Sequence, residues 1–129
     1  MKVTDLMVGD WVNYKSPSSG KLQPVKIKNI YGVEFNCEVE YWNIKSGYSI
    51  SDTEPIKLTE EILVKNGFDK DERSKYFHVY TLDIKGSYDF DICWSSVNGF
   101  NYEGDFILTY VHQLQHLLRL AGIEKEIEL

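Results

Sequence analysis

Residues 110–122 constrain the fold more than any other stretch of this chain. Val111, Leu114, Leu117, Leu118 and Ala121 recur at helical spacing and form one apolar stripe that folding must bury. Gly122 supplies a C-terminal stop, and Ile123 is placed to fold back onto Leu118. A sheet with an apolar face is the natural partner for such a helix.

The other side of this helix carries His112 and His116, one turn apart. The run from His112 to His116 is one substitution away from the HExxH pattern of zinc proteases. That substitution removes the chemistry, because Gln113 cannot take a proton from a metal-bound water. A zinc site also wants a third ligand, and His78 is the one remaining histidine. We therefore expect both imidazoles on the wet side of a packing helix, with no metal, no cofactor and no catalytic residue assigned. The runner-up reading is a metal-binding protein or hydrolase using His112 and His116, completed by His78, Asp89 or Asp91.

Strand signals dominate the remainder. Val33, Phe35, Cys37, Val39 and Tyr41 alternate with polar residues, as do Val25 and Ile27. Gly32 lies between the two runs and implies a hairpin. Keeping both apolar sets on one face favours a three-residue loop over 31–33, with Ile27 opposite Cys37 and Lys26 opposite Glu38. Residues 58–68 read as a short helix capped by Thr59, closed by Gly67 in the left-handed conformation, with Phe68 returning to Leu63. Residues 69–75 read as a charged loop. Strands then follow at 76–84, at 88–94 and within 100–108, with Asn98 and Gly99 marking a turn.

The expected fold is α+β and antiparallel β-rich, with an SH3-like small barrel or a meander at the N-terminus. A short middle helix and a C-terminal helix packed on the sheet complete it. It is read as one domain over 1–129: barrel-like strands in 1–57, a helix in 58–68, a meander in 75–109 and a helix in 110–122.

Composition narrows the function classes. With 129 residues, 43% hydrophobic and 26% charged, the chain is globular and long enough for a real core. Aromatics reach 14%, mostly within strand-like runs, where pleated surfaces accommodate them. Cys37 and Cys93 form no metal-ligand spacing and are expected as free buried thiols. No apolar run approaches the ~20 residues of a bilayer span. Acidic residues at the start sit where a secretory leader needs an apolar core, so a cytoplasmic location is expected.

The net charge of −6 is unevenly spread. Lys2, Lys15, Lys21, Lys26 and Lys28 against Asp5 and Asp10 leave residues 1–31 at +3 and the rest at −9. Five lysines without an arginine make a poor bidentate reader, so nucleic-acid binding through these N-terminal lysines is disfavoured but kept as an alternative. Asp89 and Asp91 share a strand face about 7 Å apart, which is also the default for a half-exposed antiparallel strand. GxGxxG, GxxxxGK[ST] and GxSxG are missing, which argues against the common nucleotide-dependent and serine-hydrolase chemistries.

Residues 7–12, the alternating run 25–30 and residues 33–41 resemble the opening of an SH3-like small barrel, over about residues 5–57. Such barrels serve as peptide, nucleic-acid or assembly modules, so the resemblance implies binding rather than catalysis. The ending Tyr110-Val-His-Gln-Leu-Gln115, together with residues 55–68, resembles a family of short uncharacterised proteins from gut bacteria, often phage- or mobile-element-associated. That resemblance covers most of the chain and implies no activity or site residues. The expected function is a non-enzymatic, cytoplasmic protein-binding or adaptor module whose partner is another protein or a second copy.

Overall fold

Alternation between Val12, Val25 and their neighbours produces the first hairpin. A computed structural model describes residues 6–32, 38–42, 47–85 and 88–129. The chain divides into two compact units. The first comprises Met1–Ile56 and Tyr110–His116, the second Lys57–Thr109 and Leu117–Leu129.

In the first unit, β1 (Trp11–Lys15) pairs antiparallel with β2 (Leu22–Tyr31), placing Val12 opposite Val25. Both are fully buried. Next come β3 (Glu38–Tyr41), β4 (Gly47–Ser49), a single 3-10 turn at Ile50–Asp52 and β5 (Thr53–Pro55). The strand order is β4-β3-β2-β1-β5, so β5 returns to pair with β1. Pro55 is tolerated because β5 is an end strand, where a missing N–H costs no ladder bond. No closed barrel forms among the described residues.

The core of this unit is Leu6, Val12, Val25, Ile27, Val39, Tyr41 and Ile50. Each such aliphatic side chain contributes about 1.5–3 kcal/mol on burial. Tyr41 brings a hydroxyl into this core and satisfies it on Thr53 Oγ1 at 2.6 Å.

The β2–β3 register departs from the three-residue loop. Ile27 faces Tyr41, whereas Asn29, Ile30 and Tyr31 face Glu40, Val39 and Glu38. Between Ile27 and Asn29 the register shifts by one residue, a bulge at Lys28. That extra residue reverses the phase of β2, so Ile27 and Ile30, three apart, both turn toward the core. A strict period of two could not reveal this. The expected partner of Ile27, Cys37, lies outside the described residues.

The second unit is a meander. Helix α1 (Glu60–Lys65) starts at Thr59, whose Oγ1 accepts the Ile62 N–H. It ends as expected: Gly67 takes φ +89° and the Phe68 N–H reaches the Leu63 carbonyl. Strands β6 (Asp69–Ser74), β7 (Phe77–Asp83), β8 (Asp89–Ser95), β9 (Gly99–Tyr102) and β10 (Phe106–Ile107) follow, each paired with the next. The expected charged loop over 69–75 is therefore corrected: residues 69–74 form the edge strand β6. Every side chain of β6 is exposed, so it shows no apolar period, and its charges guard an open edge against further pairing. Between β8 and β9, Ser95 faces Gly99, giving a three-residue loop with Gly99 left-handed rather than a two-residue Asn-Gly turn.

Helix α2 (Val111–Leu120) buries Val111, Leu114, Leu117 and Leu118, and the Ile123 N–H donates to the Leu118 carbonyl. Its first six residues belong to the first unit and its last four to the second. No helix among the described residues is long and apolar enough to cross a membrane.

Candidate functional site

Two constellations stand out in the first unit. One is built on the turn before β1. Gly9 takes φ +92°, its N–H donates to the Ile27 carbonyl, and the chain reverses so that the Asp10 N–H reaches the Met7 carbonyl. The Asp10 side chain, completely buried, accepts the Met7 N–H at 2.8 Å and meets His116 Nε2 at 2.7 Å through the same oxygen. Gln115 grips the turn beside it. Its Oε1 accepts from the Trp11 N–H at 2.9 Å, and its Nε2 donates to the Gly9 carbonyl at 3.0 Å.

This geometry corrects the expectation that His112 and His116 face water. His112 is only 4% exposed and the His116 side chain 25%. Both do lie opposite the leucine stripe, but on that side the Met7–Trp11 turn holds Gln115 and His116. An apolar stripe identifies one buried side of a helix without showing that the other is wet. His112 stacks on Tyr110, with ring centroids 5.8 Å apart, and stands edge-on to His116 at 5.6 Å.

With a carboxylate as acceptor, His116 Nε2 is the donor in this contact, and Nδ1 is the ring nitrogen that Asp10 does not engage. Such a ring could act as a base or a metal ligand. It also does a structural task, since a buried carboxylate without hydrogen-bond partners would cost several kcal/mol.

The other runner-up residues fall in the second unit. His78 stacks on Trp94 at 4.8 Å and lies 3.5 Å from Glu72. Asp91 accepts from Thr81 Oγ1 at 2.7 Å, and Asp89 faces Asp83 across the strands, both exposed on β8. No group of three or more His, Cys, Asp or Glu is placed to hold a metal among the described residues. The Cys93 thiol is pushed up from its usual range, first by burial and then by the Asp91 carboxylate, which makes it a poor nucleophile.

The second constellation lies on the outer face of the first sheet. Trp11 faces Lys26 across β1 and β2, and the Trp42 N–H donates to the Lys26 carbonyl, so the three side chains form one row over three strands. Val12, Val25 and Tyr41 next to them are buried, which places this row on the opposite face, with Trp11 and Lys26 half-buried there. The Lys26 ammonium lies 6.0 Å from the Trp11 ring, and that of Lys28 lies 5.0 Å from the Trp42 ring. Trp42 is 63% exposed.

The bulge re-aims Lys28, whose ammonium also reaches Glu40 at 3.2 Å, and the Tyr31 hydroxyl donates to Glu40 at 3.0 Å. The Glu40 carboxyl is held below its usual range by Lys28 first and Tyr31 second, and the Tyr31 phenol is pushed up by that same bond.

Sequence reading missed Asp10 and Gln115, because a contact across 106 positions leaves no local trace. The tryptophan row had a trace: Trp11, Lys26 and Trp42 each sit one residue out of phase with a buried neighbour. No protein family, curated protein or solved structure matches this chain.

Proposed function

We propose that this protein is a non-enzymatic binding module whose partner is another protein, and that the first sheet's outer face makes the contact. The observation carrying this reading is the exposed Trp42 at the end of a row with the half-buried Trp11 and Lys26. A water-facing indole such as that of Trp42 is costly to leave uncovered, and tryptophan is prominent among residues that anchor protein interfaces. An SH3-like arrangement of the first unit is supported by its strand order and by β5 returning to β1. The bulged ten-residue β2, which pairs with both β1 and β3, supports it further. Selection from a displayed random-peptide library tests the reading. Enrichment on the native protein that disappears with Trp42→Ala supports it, and equal enrichment on both removes this face as the contact.

A second reading, a metal-binding protein or hydrolase using His112 and His116, draws on the Asp10–His116 contact, which orients one imidazole as carboxylates behind metal-binding histidines do. Zinc should then raise the melting temperature of the native protein and not of His116→Ala. Unchanged melting of the native protein ends that reading.

A further inference from the structure

We infer that the end of α1 is a docking groove for a segment of a partner protein with aliphatic side chains at alternate positions, and that residues 126–129 fill it as an internal competitor. This contact lies in the second unit and is independent of Trp42. Asn66, which follows α1 and is only 4% exposed, is fixed by its own helix, because its Nδ2 donates to the Ile62 carbonyl at 2.7 Å. The amide then presents its remaining N–H and its oxygen side by side, the same donor and acceptor that a backbone offers. Glu128 takes both. Its N–H donates to Asn66 Oδ1 and its carbonyl accepts from Nδ2, each at 2.7 Å. One residue on, the Leu129 carbonyl accepts from Lys65 Nζ.

All three contacts address the backbone of the segment, so they do not depend on its side chains. Side-chain choice comes from burial, which alternates: Ile127 is buried and Leu129 half-buried, while Glu126 and Glu128 are exposed. Main-chain hydrogen bonds combined with pockets for every second side chain are how proteins capture extended peptides from other chains. An empty groove would strand the buried Asn66 amide without partners, so the site demands an occupant. Residues 126–129 reach it through Gly122, left-handed at φ +74°, and through exposed residues 124 and 125. So short a tether sets an effective concentration on the order of millimolar. A partner segment must compete against that, and binds best when the internal segment has lost its anchor.

The test is fluorescence anisotropy of a labelled synthetic peptide with the sequence of residues 122–129, titrated with the full chain. Two forms are compared, the native protein and Ile127→Asp, which removes the internal anchor. The peptide should bind Ile127→Asp saturably and at least about tenfold more tightly than the native protein. Adding Asn66→Asp, which keeps an acceptor and loses the donor, should weaken that binding, whereas adding Trp42→Ala should not. The same peptide with Asp in place of Ile127 should not bind. Circular dichroism reports whether each variant is folded. If Ile127→Asp is not, hydrogen exchange on the native protein decides, and saturating peptide should speed exchange at residues 126–129.

No binding to folded Ile127→Asp, or equally tight binding to the native protein, overturns the groove. Unchanged exchange at residues 126–129 does the same in the second measurement. Binding that Trp42→Ala abolishes and Asn66→Asp leaves intact puts the peptide on the first sheet, which overturns this inference and keeps the protein-binding reading above. Equal binding of the Asp-substituted peptide overturns the aliphatic pattern. A native dimer that the peptide dissociates, seen by light scattering, makes a second copy the occupant and overturns the partner segment.

Discussion

The two sheets bury their inner faces alike but are completed differently. In the second unit every strand pairs with its neighbour in sequence, from β6 through β10, and α1 is closed at both ends by residues within a few positions of it. The first unit needs β5 to return to β1, and its opening turn is held by side chains over a hundred positions away. The first unit thus ties its opening turn through buried polar contacts made far along the chain, whereas the second closes its strands locally and uses such a contact where buried Asn66 clasps the Glu128 backbone with two hydrogen bonds. Buried polar contacts are costly to break singly, because the partner left behind stays desolvated. Single polar substitutions should therefore cost more at the buried Asp10 than at the local helix cap of the second unit.

Asp10→Ala is the sharpest way to break that contrast. It strips partners from both the Met7 N–H and His116, and should cost about 2–4 kcal/mol in urea unfolding. Asp10→Asn keeps one acceptor oxygen and should lose less. Tyr41→Phe removes one buried hydroxyl pair and should cost about 1 kcal/mol. In the second unit, Thr59→Ala deletes the α1 cap, also worth about 1 kcal/mol. If Asp10→Ala proves no worse than Thr59→Ala, the contrast between the units fails.

The same contrast explains what could be read in advance. Thr59, Gly67 and Phe68 state the ends of α1 within ten residues, and Leu114, Leu117 and Leu118 state the buried side of α2. The meander was readable because its turns are local. Strand β6 was not, since its side chains contact water and only its backbone records the pairing. The bulge at Lys28 was hidden because it breaks the period used to find strands. The Asp10–His116 contact was hidden because nothing near either residue refers to the other. Placing both histidines in water assumed that one apolar stripe exhausts what a helix can bury.

The smallest expected effect lies at Cys93 in the second unit. Burial raises its pKa most, and the Asp91 carboxylate, two residues along β8, raises it further. Because the folded value lies above the unfolded one, the associated stability is fully present below the ordinary thiol range. It is lost as pH rises through the raised value. Disulfide-exchange labelling at pH 8 should be slower in the folded chain than in urea. Asp91→Asn removes the lesser cause, so the folded rate should rise, but by less than unfolding in urea raises it. A larger rise would mean that charge rather than burial governs the thiol. Stability should change little, because Asp91 is exposed and bonds only Thr81 among the contacts described above. That small cost, set beside the loss at Asp10, separates a carboxylate on an open strand face from one sealed beneath a turn.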